Sequence, residues 1–427
     1  MIILSNKGIR PETKKNSALD RAIEIVQTDD FVLVPVYLLG ELELLPVCDV
    51  GKTVYRNAVL AVSKDGKQGI ISPVSGVFLG TETIFHPLCG EMVCAKIGVN
   101  NRLPDAPTEK FDRIKVSAEE IISIAKGAGI IDEFDGMPLY QKLCAFRDNN
   151  TELLAGNAID DTPYCSSAVK TVCEWGSDAA SGLELCMRAV GAARGAIYVY
   201  DGGGKDMRRI KDKYSIIDVV RVSGKYPVWP ALEKHLTRKF SFGAIGVQAL
   251  RALFLAVTEG IPQRTVLVTV AGNGVAQPCN CEVTVGTPVS VLLEKCKIKP
   301  EAKYVVLGNA MNGACCEEDT ELSVPVYPGM RAVTVLTKRE VLASKSRCIG
   351  CGRCIEACPV NIMPMYIAQF AQQGNIDEAL EYLPEKCNGC GVCSAVCPAG
   401  RELYSVISLL KAGVYEDLEL YNWGDNE

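Results

Sequence analysis

The chain carries two matched cysteine runs near its end, Cys348-Ile-Gly-Cys351-Gly-Arg-Cys354-Ile-Glu-Ala-Cys358-Pro359 and Cys387-Asn-Gly-Cys390-Gly-Val-Cys393-Ser-Ala-Val-Cys397-Pro398. Both follow the spacing C-x2-C-x2-C-x3-C-P. Three thiolates spaced in this way on a tight loop converge on one [4Fe–4S] cluster, and the fourth reaches across to the neighbouring cluster. The spacing therefore predicts two clusters whose ligands are crossed between the runs.

This crossing gives a definite ligand set for each metal centre. We expect cluster one to be held by Cys348, Cys351, Cys354 and Cys397, and cluster two by Cys387, Cys390, Cys393 and Cys358. The glycines inside both runs lack a Cβ, which lets the loops fold closely around sulfide. The alternative is a pair of zinc sites, but zinc usually takes two C-x2-C pairs rather than two four-cysteine runs that each end in proline.

The charges beside the two runs differ. Lys345, Arg347 and Arg353 flank cluster one, whereas Glu385 and Lys386 flank cluster two. Positive surroundings favour the reduced, more negative state of a cluster. We therefore expect the higher reduction potential at cluster one.

The bulk properties restrict the class of protein. The 427 residues are enough for several domains. A net charge of −6 and a pI near 5.4 argue against a general nucleic-acid surface. The chain has 20 cysteines, and many thiols beside oxygen-sensitive clusters indicate a reducing cytosol. The best apolar stretch, Phe31–Val47, contains two prolines and two glutamates, so we expect membrane association only through a partner.

The pattern of strands and helices predicts an α/β multidomain fold. The predicted parts are a barrel-sandwich hybrid domain (1–115), a nucleotide-binding-like α/β domain (116–262), a β-grasp module (263–338), a dicluster ferredoxin domain (339–411) and an acidic tail (412–427). Predicted helices are Ala118–Ala125, Ala168–Ala193, Ala244–Glu259, Val289–Cys296, Pro364–Gln373 and Ile376–Tyr382. Predicted strands include Ala196–Tyr200, Ile216–Val222, Thr265–Val270 and Cys281–Val285.

The order of these predicted domains, together with several local motifs, resembles RnfC, the peripheral subunit of the Rnf ion-translocating electron-transport complex. The similar segments are Gly8-Ile-Arg-Pro-Glu12, Asn157-Ala-Ile-Asp-Asp-Thr-Pro-Tyr164, Lys225-Tyr-Pro227, Gly286-Thr-Pro288 and Leu307-Gly-Asn-Ala-Met-Asn-Gly313. The resemblance spans about residues 8–411. It implies an α/β domain like that of the complex I flavoprotein and a β-grasp module of the SLBB type.

Within this family, the compact length and the extra thiols are closer to the RnfC-like electron-transfer proteins associated with D-proline reductase, often called PrdC. Cobalamin reductases of the PduS type share the same plan. The resemblance therefore implies an electron-transfer protein whose electrons come from NADH, a flavoprotein or an Rnf partner. The implied acceptor is a reductase, first of all D-proline reductase.

The chain departs from the family where FMN and NADH would bind. The family's G-G-A-G-F-P-T loop corresponds to 129–138, where Asp132, Glu133 and Asp135 replace small residues. Its Gly-Gly-Glu after K-Y-P is 228–231 here, and its Q-N-x-x-T is 248–252. Carboxylates repel a phosphate, whereas bare backbone N–H groups hold one. We therefore expect a remodelled site in which FMN and NADH binding is doubtful.

Other motifs allow two interpretations each. Gly202-Gly-Gly-Lys205 lacks the full phosphate-loop spacing and indicates a turn. Cys279 and Cys281, and also Cys315 and Cys316, could be redox thiols or buried structural cysteines, and Cys165 could line the remodelled pocket. The two histidines lie in no nucleophile–base pattern, so the sequence gives little support to hydrolysis.

Three functional hypotheses remain. The chain could be an electron relay to a reductase, a true Rnf subunit, or a structural or docking protein whose clusters only stiffen its C-terminal domain. Whether the chain is itself an enzyme stays open, because its flavin motifs are altered. Two adjacent clusters with crossed ligands favour conduction over a purely structural role.

Overall fold

The computed structural model describes residues 1–4, 6–28, 30–38, 42–63, 69–87, 90–201, 208–316, 322–337 and 346–415. The predicted turn at 202–205, Lys345 and most of the acidic tail lie outside these residues. The chain begins with a short strand, helix and strand: β1 (Ile2–Ile3), α1 (Asn16–Leu19) and β2 (Glu24–Val26).

Residues 31–99 form two antiparallel four-stranded sheets that share one core. The strands are β3 (Phe31–Pro35), β4 (Tyr37–Leu38), β5 (Leu42–Pro46), β6 (Thr53–Val54), β7 (Val59–Ser63), β8 (Gly69–Ile71), β9 (Gly76–His86) and β10 (Gly90–Val99). Their orders are β3-β10-β9-β6 and β4-β5-β7-β8. Val34, Leu60, Phe78 and Ile97 meet in the buried core, as alternating apolar residues predict. The finer assignment to a barrel-sandwich hybrid stays a prediction.

Residues 118–258 form the α/β layer. Its elements are α2 (Ala118–Gly127), α3 (Leu139–Asp148), β11 (Leu153–Ala158), α4 (Ser167–Val190), β12 (Arg194–Tyr200), β13 (Lys213–Tyr214), β14 (Ile217–Ser223), α5 (Trp229–Thr237), β15 (Phe242–Gly246) and α6 (Val247–Thr258). The sheet order is β1-β14-β12-β11-β15, with all these pairs parallel. Every residue of β11 is buried, as in a central strand covered on both faces.

Sequence patterns located most of these elements. The predicted helix at 118–125 is confirmed, and a Ser117–Glu120 capping box fixes its start. The predicted helix at 244–259 begins too early, because 242–246 pairs with β11 as a strand and Gly246 is extended. Tertiary pairing overrides local propensity there.

The next layer is a six-stranded sheet with one helix. It contains β16 (Thr265–Ala271), β17 (Cys279–Thr284), α7 (Val289–Cys296), β18 (Tyr304–Leu307), β19 (Ala314–Cys316) and β20 (Ala332–Leu336). The order is β19-β18-β20-β16-β17-β2. Helix α7 packs on this sheet through Val289, Leu292 and Leu293, and its predicted bounds are confirmed.

The C-terminal part is a small helical unit. It contains α8 (Arg353–Ala357), α9 (Pro364–Gln372), α10 (Ile376–Glu381), a 3-10 turn (Pro384–Lys386), α11 (Val392–Ala395) and α12 (Leu403–Ala412). Ile367, Ala379, Ile407 and Leu410 share a core with cysteine side chains of both runs. Among the described residues, no helix combines the length and the apolar character that crossing a bilayer requires.

Candidate iron–sulfur centre and the adjoining pocket

The four cysteines predicted for cluster one lie around one cavity. Cys348, Cys351, Cys354 and Cys397 line it, together with Met365 and Leu403. Cys348 and Cys351 are exposed, whereas Cys354 is buried. The structure thus brings the first three cysteines of one run to the last cysteine of the other, with one side of the cavity open to solvent.

The other four cysteines also approach one another. Burial and the neighbouring Cys387 and Cys358 raise the pKa of Cys390 to about 11. Burial also raises the pKa of Cys393, and Cys390 and Cys387 raise it further. Cys358 therefore faces the second run although it belongs to the first.

The loops suit thiolates bound to iron. Gly350 and Gly389 have φ values of 68° and 70°, a conformation that favours glycine. Their N–H groups donate to the sulfurs of Cys348 and Cys387 at 3.5 and 3.4 Å, respectively. Four thiols at each centre, with N–H donors to sulfur, fit the donor set of a [4Fe–4S] cluster.

The loop of the second run is docked against two other parts of the chain. Tyr226 Oη donates to the carbonyl of Cys390 at 2.7 Å. Asn312 Nδ2 donates to the carbonyl of Gly389 at 2.9 Å. A Cβ on Gly391 would lie 2.0 Å from the carbonyl oxygen of Met311. The second run is thus the inner one, and the first run is the outer one.

Four of the five segments that carry the family resemblance meet at this docking point, whereas Gly286–Pro288 lies beside β3. Ile9 forms a β-bridge with Tyr226. The N–H of Val228 donates to Asp161 Oδ2 at 2.6 Å. Motifs that are more than two hundred residues apart in sequence therefore converge next to the second cysteine run.

Two of the three acidic residues of the 129–138 segment, Asp132 and Glu133, point into the protein, whereas Asp135 is exposed. Asp132 and Glu133 are 0% and 4% exposed. The Glu133 carboxylate accepts the N–H groups of Gln248 and Ala249 at 2.7 and 2.9 Å. When ionised, Glu133 thereby supplies an internal anion at the N-terminus of α6, where unpaired N–H groups attract negative charge.

Asp132 contacts the same end of α6. Its carboxylate accepts the N–H of Gly246 at 2.9 Å and forms an ion pair with the buried Lys142. Lys142 also pairs with Asp135 at 2.7 Å. A Cβ at Gly246 would lie 2.3 Å from the Glu133 carboxyl carbon, so only glycine fits there.

An aromatic pair joins the remaining altered motif to the same place. The rings of Phe134 and Trp229 lie 5.0 Å apart in an edge-to-face arrangement. Phe134 belongs to the first altered segment and Trp229 to the second, while Gln248 belongs to the third. The structure therefore brings the three altered segments together.

Burial changes the protonation of this pocket. Burial raises the pKa of Glu133 to about 7, with the Asp132 charge as the next cause, and the N–H bonds from Gln248 and Ala249 oppose the rise. Burial also raises the pKa of Asp132. The pKa of Lys142 is raised, because the two aspartates outweigh its burial.

A second buried charge network lies at the end of β11. Asp160 accepts the N–H of Val169 at 2.8 Å and pairs with Arg331, and the Lys15 ammonium donates to the Asp160 carbonyl. Cys165 lies 3.4 Å from Asp160, and burial raises the pKa of its thiol to about 12. Sequence patterns did not reveal this network, because Lys15 and Arg331 come from distant segments.

The two extra thiol pairs are separated. Cys279 and Cys281 are buried on β17, whereas Cys315 is exposed on β19 at the opposite end of the sheet. The pair on β17 instead meets Cys296 at the end of α7. The C-x-C spacing pointed to two of these three cysteines, and Cys296 was missed because nothing local marks it.

Comparisons with known proteins agree with the site. Residues 347–401 match the 4Fe-4S dicluster domain family. The chain is 26% identical over 397 residues to the C subunit of the proton-translocating ferredoxin:NAD(+) oxidoreductase complex of Clostridium ljungdahlii, covering 88% of this chain and 86% of that protein. It is 24% identical over 399 residues to the C subunit of the Na(+)-translocating ferredoxin:NAD(+) oxidoreductase complex of Acetobacterium woodii, covering 87% and 88%.

More distant likenesses exist. The C subunit of the ion-translocating oxidoreductase complex of Rhodobacter capsulatus is 24% identical over 398 residues, covering 87% of this chain and 76% of that protein. Among solved structures, an NAD+-reducing [NiFe]-hydrogenase in the H2-reduced state gives a TM-score of 0.47 at 14% identity. That match covers 72% of this chain and 64% of that chain.

Fold and site together define a multidomain α/β protein with a 4Fe–4S dicluster domain at 347–401. Along nearly nine-tenths of its length, the chain is similar to the C subunits of ion-translocating ferredoxin:NAD(+) oxidoreductase complexes, at 24–26% identity.

Proposed function

We propose that the chain is an iron–sulfur electron-transfer protein that relays electrons through two [4Fe–4S] clusters to a reductase. The observation that carries the proposal is the placement of the two cysteine sets. One set surrounds a partly exposed cavity, and the other is docked on the α/β layer through Tyr226 and on the connection between β18 and β19 through Asn312. An inner and an outer centre are what a relay between two partners needs.

In this proposal, cluster one is held by Cys348, Cys351, Cys354 and Cys397, and cluster two by Cys387, Cys390, Cys393 and Cys358. When bound, such clusters accept and release single electrons. The chain's own residues determine which cluster is the inner one and which is the outer one. Tyr226 and Asn312 fix the inner loop, while Arg353 gives the exposed outer centre a positive neighbour. Both exposure and positive charge are expected to raise the potential of cluster one.

We further propose that electrons come from a protein donor rather than through family-type FMN. Support comes from Glu133 and Asp132, whose carboxylates accept N–H groups at Gly246, Gln248 and Ala249. A flavin phosphate would compete there with two carboxylates that the fold already holds. NADH, a flavoprotein or an Rnf partner remain the ultimate donors in this scheme.

For the acceptor, we propose a reductase of the kind suggested by the compact length and extra thiols, with D-proline reductase first and a cobalamin reductase role of the PduS type second. In this picture the protein works in the cytoplasm and meets a membrane only through a partner. Genomic neighbours encoding reductase subunits would support this acceptor.

A second candidate is the RnfC position in a membrane Rnf complex. The identity of 24–26% with C subunits of this kind over nearly the whole of both chains favours it. These relatives are named as parts of ion-translocating ferredoxin:NAD(+) oxidoreductases. Isolation of the native chain from membranes together with Rnf subunits would support this candidate over a separate reductase partner.

The test is anaerobic purification followed by iron analysis and EPR after dithionite reduction. The relay predicts about eight irons per chain and two spin-coupled S = 1/2 signals. Clusters that stay unreduced at low potential would contradict it. NADH-dependent dye reduction, with and without added FMN, then distinguishes the routes of electron input. FMN-stimulated turnover would contradict input through a protein donor.

A further inference from the structure

Three buried cysteines form a compact thiol cluster outside the dicluster domain. The Sγ of Cys279 lies 3.4 Å from that of Cys281 and 3.3 Å from that of Cys296. Cys281 and Cys296 are 3.8 Å apart. All three side chains are buried. We call this set the thiol triad.

Secondary structure explains why these sulfurs converge. Cys279 and Cys281 are two residues apart on β17, so their side chains point to the same face of the sheet. Helix α7 packs on that face and ends at Cys296. Asn280, between the two cysteines, points to the other face and bonds with Thr269. The site is thus built on a strand and a helix rather than on a mobile loop.

The sulfur spacing suits a metal ion. Thiolate–zinc distances of about 2.3 Å place two sulfurs of a tetrahedral site about 3.8 Å apart. One edge of the thiol triad already has this length, and the two shorter edges need only small side-chain rotations. The three sulfur atoms lie within 4.8 Å of one another.

The charged groups around the thiol triad are mixed in sign. Arg21 and Lys295 act on Cys279, whereas Glu24 acts on Cys296 and pairs with Lys295 at 3.6 Å. A bound cation would displace the thiol protons, and its charge would offset that of the thiolates.

We propose that Cys279, Cys281 and Cys296 form a binding site for one thiophilic d10 metal ion, of the Zn²⁺ or Cu⁺ class. Soft thiolate ligands select such ions. The site is separate from the dicluster domain in sequence and lies on a different layer of the fold. Because it uses no residue of the proposed relay, it stands or falls independently of the proposed function.

The test uses holoprotein purified without air and loaded with about eight irons per chain. One equivalent of Zn²⁺, or of Cu⁺ in a second arm, is added before dialysis against a chelator. Wild type should retain about one zinc or copper per eight irons. Extended X-ray absorption fine structure (EXAFS) at the zinc edge should show three sulfur ligands at about 2.3 Å. The arm with the higher retention identifies the ion.

Cys279→Ser, Cys281→Ser and Cys296→Ser should each lower retention at least about tenfold, since each removes one of three ligands. Cys186→Ser is the matched control, because Cys186 is also fully buried but lies on α4. It should retain the ion. The EXAFS measurement on wild type needs no variant, so poor folding of a serine variant leaves the test intact.

Three results would overturn the proposal. Wild type could release both ions to the chelator. Zinc could show four sulfurs together with loss of iron, which would place it in the dicluster domain. Mass spectrometry of the anaerobic protein could find a disulfide within the thiol triad, which would make it a redox dithiol instead.

Discussion

At the scale of single residues, Glu133 shows how a side chain of the protein occupies the N-terminus of helix α6. Its two oxygens accept hydrogen bonds from the N–H groups of Gln248 and Ala249. Gly246 has no side chain and so leaves the space that the carboxyl group needs. A carboxyl group of the chain thus bonds to N–H groups of the kind that bind phosphate at other helix N-termini. The sequence predicted an altered phosphate loop from its acidic residues, and the structure shows that Glu133 bonds to the start of α6.

Glu133 should make stability fall with rising pH. Its folded-state pKa is about 7, above the ordinary value of 4.5. Between these values the unfolded chain has lost a proton that the folded chain keeps, so the free energy of unfolding decreases as pH rises. The slope is at most about 1.4 kcal/mol per pH unit. Thermal unfolding between pH 5 and 7.5 measures it.

Glu133→Gln should flatten this slope, because an amide has no proton to lose in that range. Glu301→Gln, at an exposed position, is the control and should keep the wild-type slope. A Glu133→Gln protein with an unchanged pH profile would show that Glu133 stays ionised throughout.

Gly391 and Gly352 provide a matched pair of residues. They hold the same position in the two cysteine runs, with φ values of 73° and 70°. A Cβ at Gly391 would meet the Met311 carbonyl, whereas at Gly352 nothing lies within 4 Å. Each alanine carries a similar backbone strain of about 1–2 kcal/mol, so any difference between the variants reports the contact with Met311.

Gly391→Ala should therefore displace the inner loop, lower the thermal midpoint by several degrees more than Gly352→Ala, and reduce iron content below about eight per chain. Gly352→Ala should keep its iron. Iron analysis and anaerobic thermal unfolding measure both effects. Equal behaviour of the two variants would mean that the inner loop is not docked as described.

At the scale of elements, two hydrogen bonds attach the inner loop to the rest of the chain. Tyr226→Phe and Asn312→Ala each remove one donor to a backbone carbonyl of that loop. Each bond contributes about 1 kcal/mol to stability. The double variant should increase amide hydrogen exchange at 387–393 and change the potential of cluster two alone. A change of equal size at cluster one would contradict separate docking.

Local patterns predicted the elements well and their meeting places poorly. Apolar spacing located helix α7 at its observed bounds, since amphipathic packing decides it. It could not place the start of α6, because pairing of β15 with β11 is a long-range effect. For the same reason the C-x-C pair was visible in the sequence while its partner Cys296 was not.

At the scale of the whole molecule, the two centres lie in different surroundings. The inner one contacts the α/β layer through Tyr226, and the outer one has two exposed cysteines. Cysteine spacing alone predicted the ligand sets, because it reflects the geometry of a single small motif. Which centre faces inward depends on contacts with residues 226 and 309–313, which no local pattern encodes.

Charge reversal beside each centre should change the reduction potential of that centre and leave the other one nearly unchanged. Arg353 and Lys386 are exposed residues within the two cysteine-run regions. Arg353→Glu should lower the potential of cluster one, since negative charge disfavours the reduced cluster, and should slow delivery to an acceptor. Lys386→Glu should lower the potential of cluster two and leave delivery from the outer face unchanged. Redox titration followed by EPR measures both potentials, and rapid mixing with an acceptor measures delivery. If Arg353→Glu left delivery unchanged while Lys386→Glu slowed it, electrons would leave from the inner centre and the proposed order of the relay would be reversed.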